Sequence, residues 1–367
     1  MKDDSIEISY ILSLSYNDFP TVLKQCFLCF GIFPEDHVIC DENIVWLWMA
    51  EGFIPNGEER MEDVAEGFLN QLIRRSLIQV VHTFWEKVTE CRIHDLRRNL
   101  AVQKALEVNF FDIYDPRKHS ISSLCLRHAI HDQGKSYLSL DLSNLKLRSI
   151  MFFNPVFCQM RSLYHLKFLS LIGIHDFPSS IGNLKNLQTI RVLNRYGYSC
   201  QLPPETADLI NLRHLVAPYS KPLKRINKLT SLQVLQGIHC DQWKDVDPVD
   251  LVNLLKLSMY DIKKSHSLNN ISSLKNLSTL TLFCEDDEIS FPALEFLTYE
   301  GKKITCCNNS FCQLEFLHLD DLQNAERWHL ATSAMPQIKG LGIHDCPKLK
   351  NIPKRMEDAE RLKRTHL

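Results

Sequence analysis

Between residues 147 and 343 one apolar pattern recurs ten times: a leucine or substitute, two variable residues, a second apolar residue, one variable residue and a third apolar residue. It reads Leu147/Ile150/Phe152, Leu166/Leu169/Leu171, Leu187/Ile190/Val192, Leu212/Leu215/Ala217 and Leu232/Leu235/Gly237. It continues at Leu254/Leu257/Met259, Leu277/Leu280/Leu282, Leu294/Leu297/Tyr299, Leu314/Leu317/Leu319 and Ile338/Leu341/Ile343. The last two apolar residues of each unit are two apart, so they share one face of a short strand. A strand this short cannot bury that face alone, and stacking it on its neighbours does. The chain is therefore constrained to a solenoid over most of its length, each inward side chain worth ~1.5–3 kcal/mol when buried.

Successive units start 19, 21, 25, 20, 22, 23, 17, 20 and 24 residues apart. Leucine-rich repeats run at about 20–29 residues, so most intervals fit an irregular leucine-rich-repeat horseshoe. The Asn or Cys expected eight residues after the first leucine occurs only as Cys240 and Cys346. The loop backbone groups must then find other partners, and the 17-residue step from Leu277 to Leu294 predicts a tight or distorted turn. Residues alternating with the inward ones should line the concave face: Phe168, Ser170, Arg191, His214, Gln236, Tyr260, Thr281, Phe283, Phe296, Phe316, His318 and His344. Phe296 and Phe316 hold the same place in successive units and are expected to stack. A column of exposed aromatic rings suits protein binding, unless a neighbouring segment covers it.

The chain changes character near residue 115. Before it, Pro20 opens a helix whose Val22, Leu23, Cys26, Phe27 and Phe30 form one apolar face. Asp41 is placed to cap a helix over residues 43–51 that Gly52 stops, and a third helix runs from Met61 to Arg75. Leu77–Val81 and Cys91–Ile93 then alternate as a hairpin, and a last helix follows from Asp95 to Ala105. Helices followed by a hairpin predict a winged-helix domain over residues 1–115, with the repeats over 116–367: an α+β unit followed by an α/β solenoid.

Winged helices often bind DNA, but the candidate recognition helix, residues 43–51, is Trp-rich, ends in Glu51 and carries no basic residue. With 42 basic against 44 acidic side chains the chain also lacks the usual cationic excess, so no nucleic-acid partner is expected. The longest apolar stretches, about eight residues as at Cys26–Phe33, are too short to span a bilayer. The N-terminus has no secretory signal, which points to the cytoplasm. There the 13 cysteines should be reduced. Cys26 and Cys29, a C-x-x-C inside an apolar helical run, read as small hydrophobes rather than a metal or redox pair. No nucleophile–base–orienter pattern suggests an enzyme.

Six motifs then carry a resemblance. They are Leu14-Ser15-Tyr16, Lys24-Gln25-Cys26-Phe27-Leu28, Phe33-Pro34-Glu35-Asp36, the run Leu47 to Ile54, Glu62-Asp63-Val64-Ala65-Glu66 leading to Leu72-Ile73-x-x-Ser76-Leu77-Ile78, and Ile93-His94-Asp95-Leu96. In order, they resemble the end of the nucleotide-binding region of plant NB-ARC leucine-rich-repeat immune receptors, most closely the coiled-coil class. Phe177-Pro178-x-x-Ile181-Gly182-x-Leu184, and Leu202-Pro203 through Leu212-Arg213-His214-Leu215, are similar to the family's repeats. The resemblance implies a switch. In it, His94 of the Met-His-Asp-like motif contacts the β-phosphate of ADP, Asp95 orients the turn, and repeats that sense a pathogen effector or a guarded host protein release the nucleotide for ATP.

Ile-His-Asp occurs at 93, 130, 174 and 343, and only the first follows the hairpin and opens a helix; the copies at 174 and 343 read as turns. The family's phosphate loop, G-x-x-x-x-G-K-[ST], is expected upstream of the winged helix. Gly134-Lys135-Ser136 fails as one because Ala129 stands where its first glycine should be. These 367 residues therefore imply no cofactor of their own, although full-length relatives hold ADP or ATP. The chain reads as a receptor fragment, a truncated gene product or a partner of a full-length receptor. A ubiquitin-ligase substrate adaptor is the competing reading, against which the Phe33-Pro34-Glu35-Asp36 and Leu47–Gly52 motifs argue. Without the family's neighbouring domain, Trp46, Trp48 and Phe53 are expected to be left partly exposed.

Overall fold

A computed structural model of the chain describes residues 13–84, 87–117, 122–132, 137, 140, 142, 145–155, 163–173, 177–193, 200–221, 223–239, 250–260, 271, 274–283, 297–299, 303–306, 311–323, 325–357 and 361–365. It divides into two compact units. The first comprises residues 1–172 with 186–189, and the second residues 173–185 with 190–367.

The first unit begins with helix α1 (Thr21–Leu28), which continues as a 3-10 turn through Ile32, and strand β1 (Ile39–Cys40). Helix α2 (Asp41–Glu51) starts two residues earlier than the sequence predicts. Cys40 is its N-cap, so Asp41 lies in the first turn with Glu42, where negative charge favours the positive helix end. Gly52 stops α2 at φ 77°, a left-handed conformation that a side chain would strain. Every residue from Asn43 to Glu51 is buried, so α2 is the hydrophobic centre of the winged helix and offers no face to DNA. Trp48 donates its Nε1–H to the Cys26 carbonyl at 3.2 Å and packs edge-on against Phe30. Trp46, Trp48 and Phe53 are buried, contrary to expectation, because α1, Phe30 and Phe110 already surround this helix.

Helix α3 (Met61–Arg74) buries Ala65, Leu69 and Leu72. Strands β2 (Ile78–Phe84) and β3 (Lys87–Ile93) form the predicted antiparallel hairpin, with Ile78 opposite Ile93 and β1 completing the sheet. Helix α4 (Asp95–Glu107) follows, and its buried Arg98 donates to the Phe33 carbonyl at 2.7 Å and pairs with Glu35. Cys26 and Cys29 are buried free thiols whose pKa values burial raises, as expected for packing residues. Four strands complete this unit in parallel order: β4 (Asp112–Ile113), β5 (Arg127–Ile130), β6 (Ser149–Pro155) and β7 (Phe168–Ile172).

The second unit continues the repeat pattern. Its strands β8 (Thr189–Leu193), β9 (His214–Ser220), β10 (Val234–His239), β11 (Lys256–Tyr260) and β12 (Thr279–Phe283) lie side by side in chain order. The predicted inward residues are buried, with Ile190, Leu215, Leu235, Leu280 and Leu317 all at 0% exposure. Gly237 departs from the pattern. The ladder slips between Gln236 and Ile238, so Ile238 takes the inward place opposite Met259. Gly237 has φ 88°, and a Cβ there would lie 2.8 Å from the Ala217 carbonyl oxygen and the Pro218 Cα. Gly237→Ala should therefore cost about 1–3 kcal/mol. Urea unfolding reads this directly, and an unchanged midpoint would contradict the bulge.

The unit at Leu294/Leu297/Tyr299 is not a repeat. Strand β13 (Leu297–Tyr299) pairs antiparallel with β14 (Lys303–Cys306), which runs parallel to β16 (Arg327–Leu330) in a separate three-stranded sheet. The main ladder passes from β12 directly to β15 (Phe316–Asp320), then to β17 (Gly340–His344) and β18 (Arg361–Thr365). Phe316 lies opposite Thr279 and Gly340, and Phe296, its expected stacking partner, lies outside the described residues.

The missing Asn/Cys ladder has a replacement. The residue just before the first leucine is Asn in four repeats, and each donates its side-chain amide to a carbonyl one repeat back. Asn186 reaches Tyr164 (2.8 Å), Asn211 Lys185 (2.8 Å), Asn253 Thr230 (2.8 Å) and Asn276 Val252 (2.6 Å). Each acceptor lies two residues before its own repeat's first leucine, so equivalent orphan carbonyls are satisfied by one recurring residue.

Candidate functional site

Helix α2 ends where the repeat strands begin to pack. Glu51, whose side chain is fully buried, meets Arg127 of β5 at 2.5 Å between Oε2 and the guanidinium, and accepts a hydrogen bond from the Ser149 hydroxyl of β6. Arg148 approaches the same carboxylate at 3.7 Å and donates to the Glu51 backbone carbonyl at 2.6 Å. The Arg127 guanidinium also lies over the Phe53 and Phe110 rings, 5.1 and 4.1 Å from their centroids, and donates to the Phe110 carbonyl at 2.9 Å. One buried carboxylate thus joins the winged helix to the first strands of the repeats. Its burial is compensated by a cation and a hydroxyl.

The junction decides the fate of the first concave positions. Helix α2 packs on β6 and β7, and there Phe168 and Ser170 are buried, at 0% and 4% exposure, rather than open to a ligand. In the second unit His214 is buried as well, at 1%, and Arg191 keeps 8%. Strand alternation puts both opposite the core face, so what the sequence reads as open surface is here enclosed. Tyr260, Phe283, Phe316 and His318 remain half-buried. Tyr260 and Phe283 stack with centroids 4.4 Å apart and planes within 8°, and Tyr219 leans on Tyr260 at 4.8 Å. Sequence reasoning missed Tyr219, because its φ of 54° turns the strand where alternation cannot follow. Burial lowers the pKa values of His214 and His318, the latter to about 4, and the nearby Lys256 ammonium pushes both the same way.

His94 is the N-cap of α4. Its Nδ1 accepts from the Leu96 amide at 3.4 Å while the side chain stays exposed. A neutral imidazole that accepts at Nδ1 carries its proton on Nε2, which makes Nε2 a donor at the positive end of a helix. That geometry fits one contact to a phosphate oxygen. Asp95 lies in the first turn, and its Oδ1 is buried without a hydrogen-bond partner among the described residues. The turn is held by His94 itself.

The other Ile-His-Asp copies differ in setting. His131 donates its Nε2–H to the Ile32 carbonyl at 2.8 Å, Asn154 donates its side-chain amide to Asp132, and residues 174–176 lie outside the described residues. His344 Nδ1 lies 2.9 Å from Asp320 and 3.1 Å from Asp345, and Asp345 turns at φ 47°, the expected turn. These three could hold a cation only by giving up the bonds that already pair them.

Comparison with known proteins follows the same division. Residues 32–101 match the disease resistance protein winged helix domain, and residues 154–360 match a leucine-rich repeat region. The chain is 30% identical over 417 residues to disease resistance RPP13-like protein 3 of Arabidopsis thaliana, covering 97% of this chain and 48% of that protein. It is 34% identical over 326 residues to disease resistance protein RPP13 of the same plant, covering 77% and 38%. Among solved structures, a leucine-rich-repeat protein of Leptospira interrogans covers 72% of this chain and 80% of its own at 17% identity and a TM-score of 0.39. The chain spans about half the length or less of those two plant relatives. Among the described residues no helix is long and apolar enough to cross a membrane. With its winged helix leading into leucine-rich repeats over more than half its length, the chain belongs to the plant disease resistance proteins.

Proposed function

We propose that this chain is the sensing and relay portion of an intracellular immune receptor acting in the cytoplasm. Its repeats bind a pathogen effector or a guarded host protein, and the winged helix carries that event toward a nucleotide switch. The observation that supports the relay is the Glu51 junction. A shift of β5 or β6 must either move α2 or break a buried ion pair. When ADP is held by a neighbouring nucleotide domain, it supplies the bound anion of the resting state. In this chain His94 would offer its Nε2–H to one of its phosphate oxygens, with the α4 N-terminus adding favourable potential.

One such contact contributes about 1.5–3 kcal/mol, short of the ~4 kcal/mol that millimolar affinity requires. The 367 residues alone should therefore show no ADP or ATP binding by calorimetric titration, and micromolar affinity would contradict this. The sensing role is tested by expressing the chain in leaf tissue with candidate effectors and asking which co-purify. Capture that falls sharply with Tyr260→Ala and Phe283→Ala together supports it. Capture indifferent to both would sink it.

A further inference from the structure

We infer that His131 and Arg98 are positioning residues for His94: through the carbonyls of Ile32 and Phe33 they tie the end of β5 to the first turn of α4. This rests on the relay reading above and gives the relay its last step, from the repeat strands to the histidine offered to phosphate. The two carbonyls belong to adjacent residues that are 2% and 0% exposed, so each depends on a protein donor. His131, just past β5, donates its Nε2–H to the Ile32 carbonyl at 2.8 Å. Arg98 of α4 donates its Nε–H to the Phe33 carbonyl at 2.7 Å. The backbone N–H of the same Arg98 donates to the His94 carbonyl at 2.9 Å, so the guanidinium and the helix cap belong to one turn.

The surroundings make this path stiff. A Cβ at Gly31 would lie 3.2 Å from the Val102 backbone nitrogen, so the 3-10 turn rests directly on the α4 backbone. On the other side, Phe33 and His37 pack against Phe153 of β6 with ring centroids 5.7 and 5.2 Å away, and His131 packs on the same ring at 5.1 Å. Asn154 of β6 donates to the His131 carbonyl, which fixes the backbone that carries the imidazole. Burial, and the nearby Arg98 charge, lower the His131 pKa, so the ring stays a neutral donor beside that guanidinium. If β5 shifts and His131 withdraws, the Ile32 carbonyl is left buried without a partner. Arg98, one peptide away, is the donor at hand. It can turn toward Ile32 only by loosening its hold on Phe33 and disturbing the turn that carries His94. The Glu51 junction ties the same strands to α2 instead.

Native-state hydrogen exchange of the full chain tests this, read at the Leu96 amide that bonds His94 Nδ1 and at the Arg98 amide behind it. His131→Phe keeps a ring against Phe153 and removes the donor. It should speed exchange at both amides by about tenfold or more while α3 amides keep their wild-type rates. His131→Gln, whose side-chain amide can donate to the same carbonyl, should restore most of the protection. His128→Ala is the control for packing alone. His128 lies on β5 but bonds Tyr137 and the Ser122 carbonyl, so its loss should loosen β5 and leave the α4 cap protected. Arg98→Met combined with His131→Phe should exchange no faster than the faster single variant, because both cut one path. The inference fails if His131→Phe leaves Leu96 and Arg98 protected, if His128→Ala exposes them equally, or if the double variant shows the product of the two single effects. No nucleotide enters this measurement, so its result is independent of the phosphate contact. A full-length relative that keeps ADP equally well with the change corresponding to His94→Gln would overturn that contact alone.

Discussion

Glu51→Ala should destabilise the chain by about 3–5 kcal/mol, the cost of leaving a buried charge without its partner. The side chain removed is fully buried, and Arg127, left behind, has only 9% of its side chain exposed. Ser149 loses its acceptor at the same time. A domain of ordinary stability, about 5–15 kcal/mol, would be brought near its unfolding threshold, so the effect should be visible as poor soluble yield as well as a shifted urea midpoint. The paired replacement Glu51→Leu with Arg127→Met should recover most of the loss, because it removes both charges together. A Glu51→Ala chain within 1 kcal/mol of the wild type would mean that the junction is solvated and joins nothing.

The second large effect is with pH. His128, His131, His214 and His318 all have pKa values lowered by burial, His318 to about 4. In the unfolded chain these imidazoles return to about 6.5. Below that pH the unfolded chain binds more protons than the native one, so stability falls as pH falls. For His318 the interval from 6.5 to about 4 corresponds to roughly 3–4 kcal/mol at about 1.4 kcal/mol per unit. Between pH 6.5 and 5, above the range where ordinary carboxylates titrate, the histidines should dominate the slope. His318→Asn should flatten it, which denaturation at a series of pH values would show. A stability curve flat over that window would contradict the burial assigned to these rings.

The repeats were legible because the leucine spacing demands a stacked strand every twenty-odd residues, and among the described residues nearly every predicted inward position is buried. The false unit at Leu294–Tyr299 satisfies the same six-residue pattern. Its backbone, however, pairs antiparallel with residues 303–306, and a local pattern carries no information about which strand lies alongside. Gly237 failed for a related reason: a bulge moves the inward place by one residue, to Ile238. The asparagine ladder could have been found, since Asn precedes the first leucine in four repeats, but the expected position eight residues on drew attention away. The Glu51 junction could not. Its partners Arg127 and Ser149 lie in another domain of the sequence, 98 residues away for Ser149, and no spacing relates them. For that reason Phe168 and Ser170 read as open surface when α2 covers that part of the sheet. His94 stands out from the other copies by its context at the start of α4, where the structure shows its exposed side chain capping the helix through Nδ1.

The central claim is that the winged helix and the first repeat strands are one mechanical piece, tied through Glu51. Native-state hydrogen exchange tests it most directly. Amides of α2, β3, β5 and β6 should open together, with one free energy and one dependence on denaturant. If the amides of β5 and β6 instead open at lower free energy while those of α2 and β3 stay protected, the two parts are independent and no relay passes between them.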